Sequence, residues 1–527
     1  MRTVKWAVVP TRLTLTLGGL VAVRTAARIE GGAMARTAFL RVVLTLIASF
    51  AFIGSVLVVN GSLRGADRPS DLARGGPKVE VNPEAAEQAD RAAERRAAYA
   101  AALGTGKAGQ TGPTNNAPVA GWAGEQLVDT VADDWEPAVA ADPSAPWVYL
   151  LTTRYGTSKP CPGNCPSPWI ALEISANGGA TWTDGAPLCA CKGSGQFDPI
   201  IEVVPNTGAV YALYMSGFNV MFVKSANHGS TWSAPVKTYG TVSWNDKPVI
   251  AMSDDGRDVY VSFNGPTGGD PWVAQSHDFG ATWTQRKLTD SARYIFAFDA
   301  DVASDGTVYF AETSLLYGGG GNKGTTPTGA IEEHVYVSTD QGATFTDRLV
   351  ASVQPGLACV AAGCTPDYYL AHNALSVDGT GRVVLLYDGA AVTGGLQTIA
   401  SVSSTNRGAT WSAPVTLSVV GEESVAPAVE GRGSGDFRAF YFQTTGANPD
   451  VWNVYLRRSI DGGATWSAPV RISDATSGTA YKTAAGFLEV YGDYGEIAIT
   501  STGKTIAAWG EGASYTGPGG VWFNREP

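Results

Sequence analysis

From residue 122 onward the chain repeats one pattern of apolar and polar positions seven times. An apolar run enters, a polar turn follows, and a β-branched or aromatic run leaves. The leaving runs are Trp147–Leu151, Val210–Tyr214, Val259–Phe263, Val308–Phe310, Val383–Tyr387, Phe437–Phe442 and Thr505–Trp509. The turns before them carry Asp142-Pro143, Asn206-Thr207-Gly208, Asp255-Gly256, Asp305-Gly306, Gly379–Gly381, Ser434-Gly435 and Thr502-Gly503. Each copy predicts a small antiparallel sheet that cannot bury its faces alone, so neighbouring copies must stack.

A second feature punctuates six of the copies. Octapeptides of the form Ser-x-Asp/Asn-x-Gly-x-Thr-Trp/Phe begin at Ser175, Ser225, Ser276, Ser338, Ser404 and Ser459, at spacings of 50, 51, 62, 66 and 55 residues. Their chemistry is that of a hairpin turn. The side chains of Asn177, Asn227, Asp278, Asp340, Asn406 and Asp461 can bond backbone N–H groups further on. The glycine supplies a positive φ. The Trp or Phe can wedge between sheets. None of this needs a substrate.

The seventh copy ends near Phe523, with no octapeptide and no outer strand. The segment Glu125–Asp129 precedes the first copy as Pro235–Lys237 precedes the third, and can supply the missing strand. Closing the ring in this way removes an exposed edge. The expectation is an all-β fold, a seven-bladed β-propeller of four-stranded antiparallel blades over residues 121–527. Six blades is the alternative, with the last copy as an appendage.

The N-terminal 120 residues read differently. Val42–Val59 is an uncharged apolar run of 18 residues, just long enough to span a bilayer as a helix. Arg36 and Arg41 precede it. No small-x-small cleavage site follows, so residues 34–63 read as a signal anchor, with a cleaved signal peptide as the alternative. Residues 1–33 are a cytoplasmic leader or an over-extended start, with Met34 the more natural first residue. Within 64–120, Asn82-Pro83-Glu84 opens an Ala-rich helix, a stalk, which a flexible linker follows. The expected location is the cell membrane, single-pass with the propeller outside, or secretion after cleavage.

Charge sharpens the picture. Residues 1–120 carry 15 Lys and Arg against 8 Asp and Glu, so with a whole-chain net charge of −11, residues 121–527 carry −18. An acidic body argues against nucleic acid as a partner. The six cysteines fall in three close pairs, Cys161/Cys165, Cys189/Cys191 and Cys359/Cys364. No histidine lies near them at ligand spacing, which favours disulfides over a metal site and leaves the connectivity open.

The repeated Ser-x-Asp-x-Gly-x-Thr-Trp box resembles the Asp-box, or BNR, repeat family over roughly residues 122–527. That resemblance implies a sialidase-like propeller whose boxes lie at the periphery. The family includes sialidases, some xyloglucan-cleaving hydrolases and non-enzymatic receptors of the sortilin type, so the boxes identify a scaffold and not an activity. Sialidases place an arginine in a Phe/Tyr-Arg-Ile-Pro motif opening the first blade. The matching place here reads Trp135-Glu136-Pro137-Ala138-Val139, and a glutamate there would repel a carboxylate. Arg154 and Arg293 do not assemble an obvious replacement.

In a propeller the segments entering each innermost strand converge on one mouth of the channel. Here they mix carboxylates with aromatics. Asp198, Asp246, Asp299 and Asp493 are the candidate catalytic carboxylates for a glycosidase, with Lys247 placed to keep Asp246 ionised. Trp135, Glu136, Trp244, Lys247, Phe298, Tyr369, His372 and Tyr494 are the candidate ligand-binding residues. The competing reading is structural: such acids can bond the neighbouring blade's backbone or a Trp N–H, or hold a structural cation in the channel. No cofactor or metal motif is present, nor a G-x-S-x-G elbow. The expected function is recognition of a glycan or other envelope ligand. An active glycoside hydrolase, an exo-sialidase or another Asp-box glycosidase, is the first alternative. A structural protein-interaction propeller is the second.

Overall fold

The β-branched and aromatic runs pair as strands, because such residues fit a pleated, half-buried surface. A computed structural model describes residues 119–129, 133–155, 166, 168–189, 193–242, 245–265, 269–289, 293–316, 329–356, 372–445, 448–473, 495–512 and 519–527. The chain divides into two units, Met1–Arg68 and Pro69–Pro527, and all described residues belong to the second. The expected anchor, stalk and linker through residue 118 lie outside the described residues. Among the described residues no helix is long and apolar enough to cross a membrane.

Strand β1 (Gln126–Leu127) comes first and is used last. The first blade is β2 (Asp133–Ala141), β3 (Val148–Tyr155), β4 (Trp169–Ser175) and β5 (Ala186–Pro187). The second is β6 (Gln196–Val203), β7 (Val210–Ser216), β8 (Val220–Ser225) and β9 (Val236–Lys237). The third is β10 (Asp246–Met252), β11 (Val259–Asn264), β12 (Pro271–Ser276) and β13 (Thr284–Lys287). The fourth is β14 (Tyr294–Val302), β15 (Val308–Leu315), β16 (Ile331–Ser338) and β17 (Thr346–Val353). The fifth is β18 (Asn373–Val377), β19 (Val383–Ala390), β20 (Gln397–Ser404) and β21 (Val415–Thr416). The sixth is β22 (Ser424–Arg432), β23 (Asp436–Thr445), β24 (Asn448–Ser459) and β25 (Val470–Arg471).

The seventh blade joins both ends of the propeller. It orders β26 (Gly495–Ile499), β27 (Thr505–Gly512), β28 (Gly519–Arg525) and then β1. Gln126 faces Phe523 and Leu127 faces Trp522 in the antiparallel register. Seven four-stranded antiparallel sheets therefore close into a ring, and the innermost strand of each touches that of the next, around to β26 against β2. The six-bladed alternative is excluded.

Apolar clusters fill the seams between blades. Ala138, Tyr149 and Leu172 of the first blade meet Ile201, Ala212 and Val223 of the second. Val148, Leu150 and Val521 close the seam between the seventh blade and the first. Each octapeptide lies between the third and fourth strands of its blade, on the face opposite the entries of the inner strands. Its aromatic residue packs into the seam with the preceding blade. Trp232 joins the first seam, Trp283 meets Phe222 with ring centroids 5.3 Å apart, and Trp182 meets Phe523 at 5.4 Å.

The turn chemistry is the same in all six. Gly179 N donates to Ser175 Oγ at 2.8 Å and Thr181 N to Asn177 Oδ1 at 2.9 Å. In the sixth box Asp461 Oδ1 accepts from Thr465 N at 2.9 Å and Oδ2 from Thr465 Oγ1 at 2.6 Å. Those bonds hold the Asp461 carboxyl down at about 2. The fifth residue of the box is glycine for two reasons. At Gly280 φ is +76°, and an added Cβ would press on the Phe222 ring of the preceding blade. Gly280→Ala is expected to lower stability by about 2 kcal/mol through left-handed strain and overpacking; a urea midpoint unchanged from wild type would refute this account of the turn.

The disulfide expectation reaches the structure at one residue. Cys189 is disulfide-bonded, and no cysteine among the described residues is free. Cys161, Cys165, Cys191, Cys359 and Cys364 lie outside the described residues. The connectivity of the six cysteines stays open, as the sequence leaves it.

Candidate functional site at the channel mouth

Trp135, Asp198, Lys247 and Asp299 lie within the inner strands β2, β6, β10 and β14, and His372 immediately precedes β18. What aims their side chains is a recurring bulge. Ladder pairing skips between Trp135 and Ala138, Phe197 and Ile200, Asp246 and Val249, and Val425 and Ala428. At each skip a non-glycine residue takes a positive φ: Glu136 at 48°, Asp198 at 44°, Lys247 at 49° and Ala426 at 49°. A proline follows every time (Pro137, Pro199, Pro248, Pro427). Proline has no N–H for the ladder, so the strand must bulge where it sits. Four strained residues at equivalent positions, each costing of order 1–3 kcal/mol, mark this rim as a place where geometry outranks local stability.

One cavity of about 90 Å³ opens at this end of the channel. Asp198, Lys247, Phe298, Asp299 and His372 line it, as do Asn373, Ala426, Pro427 and Glu496. The Phe298 ring meets His372 edge-on at 4.8 Å between centroids. Five of the candidate residues thus share one site.

The remaining candidates fall elsewhere. Asp246 is fully buried beneath the rim, accepts from Lys247 N at 3.0 Å, and does not line the cavity. Trp135 is buried in the first blade. Glu136 clasps two blades: its Oε2 accepts from Thr153 Oγ1 at 2.5 Å and from Asp198 N at 3.1 Å. Trp244, Tyr369, Asp493 and Tyr494 lie outside the described residues.

Asp299 does the same work as Glu136 from inside the cavity wall. Its Oδ2 accepts from Leu375 N of the next blade at 2.9 Å and its Oδ1 from Ala300 N at 2.8 Å. Burial pushes its carboxyl up to about 8 in spite of those bonds. Glu496 Oε2 accepts from Val139 N at 2.7 Å across the closing seam, and burial raises it likewise to about 8. Asp301 binds Val377 N at 2.7 Å, and burial raises it to about 6. Each of these acids bridges two adjacent blades through a backbone N–H.

Below Asp299 the channel widens into a second cavity of about 470 Å³, lined by Glu202, Asp301 and Glu430 among others. Desolvation, then the charges of Glu496, Asp301 and Asp299, raises Glu202 well above the carboxylate range, although its side chain still meets the lumen. Among the described residues no group of three or more His, Cys, Asp or Glu is arranged to hold a metal ion.

Both arginines considered for a carboxylate clamp are engaged elsewhere. Arg154 is buried against Asp134 at 2.6 Å, Glu173 at 2.8 Å and Asp129 at 3.2 Å. Arg293 binds Ser314 Oγ at 2.5 Å, Ala330 O at 2.6 Å and Glu332 at 3.2 Å. Among the described residues no arginine lines the mouth cavity.

Sequence reasoning missed Glu496, Ala426 and Asp388. Asp388 is fully buried, and its Oδ2 lies 3.4 Å from His372 Nδ1. The repeated residue-Pro step would have found Ala426; nothing local in the sequence signals Asp388, because its role depends on β19 lying beside His372.

No family model and no curated protein matches the chain. Among solved structures it is similar to an ulvan lyase described as polysaccharide lyase PL25, at 11% identity and a TM-score of 0.45, covering 73% of this chain and 94% of that one. It is also similar to the intramolecular trans-sialidase of Ruminococcus gnavus, at 13% identity and 0.39, covering 75% and 94%. A Hadza microbial sialidase matches at 14% identity and 0.40, covering 68% and 73%. At such identities and scores these likenesses transfer no residue role and no activity to this chain.

Proposed function

We propose that this chain is a propeller held outside the cytoplasm by its N-terminal segment, and that it recognises a glycan or another envelope ligand at the channel mouth without cleaving it. The observation that carries the reading is the make-up of the mouth cavity. It joins an aromatic ring (Phe298) and apolar walls to a few polar side chains, the pattern of a site for a small polar ligand. An aromatic face suits the apolar face of a pyranose. The lack of an arginine among the described lining residues speaks against an anionic sugar. The clasp role of Asp299, with both oxygens bonded to backbone N–H groups, speaks for binding over turnover. The acidic charge of residues 121–527 supports a partner other than nucleic acid.

A glycan array probed with the full-length chain in detergent, run beside a hydrolysis screen against sialosides and neutral aryl-glycosides, tests this. Retention on neutral glycans, no turnover, and labelling of intact cells by the retained glycan are expected. Turnover that disappears in Asp299→Asn or Asp198→Asn would replace this reading with a glycoside hydrolase.

A further inference from the structure

Four inner strands bring five carboxyls to the channel axis. Glu202 comes from β6, Asp299 and Asp301 from β14, Glu430 from β22 and Glu496 from β26. Asp299 and Asp301 are two positions apart, so one face of β14 carries both. Glu496 lines the mouth cavity, Glu202, Asp301 and Glu430 line the larger cavity below, and Asp299 lines both. Glu202 is exposed and the other four are partly exposed, so all five meet the lumen.

The five do two kinds of work. Asp299, Asp301 and Glu496 each accept a backbone N–H of the adjacent blade, from Leu375 at 2.9 Å, Val377 at 2.7 Å and Val139 at 2.7 Å. Glu202 and Glu430 make no such bond among the described residues. They add charge to the lumen and hold no blade.

Countercharge is scarce. Among the described lining residues, Lys247 is the cation of the upper cavity and Arg432 that of the lower. Arg432 donates to the carbonyls of Thr500, Ser501 and Pro143, not to a carboxyl. Arg438 stands opposite Glu430 in the ladder but is paired with Asp436 at 3.1 Å and Glu526 at 3.5 Å. Asp198 and His372 also line the upper cavity, and Asp254 and Asp378 the lower. Burial raises all five axial acids, Asp301 to about 6, Asp299 and Glu496 to about 8, and Glu202 and Glu430 well above the carboxylate range. After burial, Glu202 is raised by the charges of Glu496, Asp301 and Asp299, and Glu430 by those of Glu202, Asp301 and Asp299. The acids therefore act on one another across the lumen.

We propose that this axial ring of carboxyls is a pH-sensitive lock, closed while its members hold protons and loosened when they ionise together and repel one another. The bonds it releases are those on Leu375, Val377 and Val139. Asp299 and Glu496 also line the mouth cavity, so the lock acts on the wall of the mouth. The folded values lie above the unfolded one, near 4. The contribution is thus complete below about pH 4 and is lost as pH rises through the folded values. The share of Asp299, Glu496, Glu202 and Glu430 is the last to go, towards and above about pH 8.

Hydrogen exchange of the full-length chain in detergent, followed by mass spectrometry from about pH 6 to about pH 9 with each rate divided by the intrinsic rate at that pH, tests this. Protection of the peptides covering Val139 in β2 and Leu375–Val377 in β18 is expected to fall on the order of tenfold, while that of β12, which carries no axial acid, holds. The double variant Glu202→Gln, Glu430→Gln removes two charges and no interblade bond, and is expected to keep most of that protection. Glu333 and Glu312 line neither cavity and ionise in both proteins, so the difference between the two reports the ring alone. Should the double variant fold poorly, about 1 M salt on the wild-type chain carries the same test, because it screens charges that face a water-filled lumen. Protection that does not change with pH overturns the lock. So does a loss identical in the variant or untouched by salt, and so does a loss shared equally by β12, which would be unfolding of the whole ring.

Discussion

Arg154→Met is expected to destabilise the propeller by about 3–5 kcal/mol, the range for breaking a buried charge pair by removing one partner. The guanidinium is 1% exposed and faces Asp134, Glu173 and Asp129, with the Trp169 ring 5.4 Å away. Burial, opposed by the guanidinium, already raises Glu173 to about 7, so removing the cation leaves three desolvated carboxylates together. Asp129 lies just past β1, so the same cation ties the ring-closing strand to the first blade. The loss should therefore appear first as hydrogen exchange in Gln126–Leu127 and β28, ahead of the rest of the ring. A denaturation midpoint within error of wild type would refute the assignment of Arg154 as the hub of that closure.

Raising the pH from about 6 to about 9 is expected to lower the thermal midpoint, against the behaviour of proteins whose carboxylates are held low. Glu333 and Glu312 are fully buried, and burial raises them to about 8 and about 7. Each reaches a hydrogen-bond partner, Glu312 to Ser262 of the third blade and Glu333 to Thr313 of its own blade and Asn373 of the fifth. A carboxyl whose folded pKa lies above its unfolded one contributes stability that is complete below the unfolded value, near 4 for Asp and Glu. That contribution is lost as pH rises through the folded value. For these two groups, and for Asp299 and Glu496 at about 8, the loss runs between the unfolded value and the folded one, from about pH 4 to about pH 7–8, and is complete above it, so its upper part falls between about pH 6 and 9. Each accounts for a few kcal/mol at the order-of-magnitude level. Glu333→Gln keeps the acceptor for Asn373 and cannot ionise, so its midpoint should fall less steeply with pH than that of the wild type. Parallel profiles for the two proteins would show that Glu333 does not titrate in this range.

The repeat itself was legible in the sequence. Seven returning runs, six octapeptides and an orphan strand before the first blade favoured seven blades and this closure over six, because each depends on local chemistry: strand propensity, turn hydrogen bonds, and a glycine that alone tolerates the required φ. The observed starts of β7, β11, β15, β19 and β27 coincide with the runs read from the chain. The mouth was legible in part, since Asp198, Lys247, Phe298, Asp299 and His372 do converge on one cavity. What each does there was decided only by the tertiary structure. Asp299 reads as a catalytic acid and Glu136 as a ligand-binding residue in sequence, and the adjoining blade presents backbone N–H groups to both. Asp246 sits one residue from Lys247, yet the bulge buries the first and aims the second at the cavity. His372 gains its meaning from Asp388, 16 positions along the chain and brought beside it by the pairing of β18 with β19. Short-range patterns specify strands and turns, whereas a side chain's charge state and free lone pairs depend on neighbours that only the closed ring supplies.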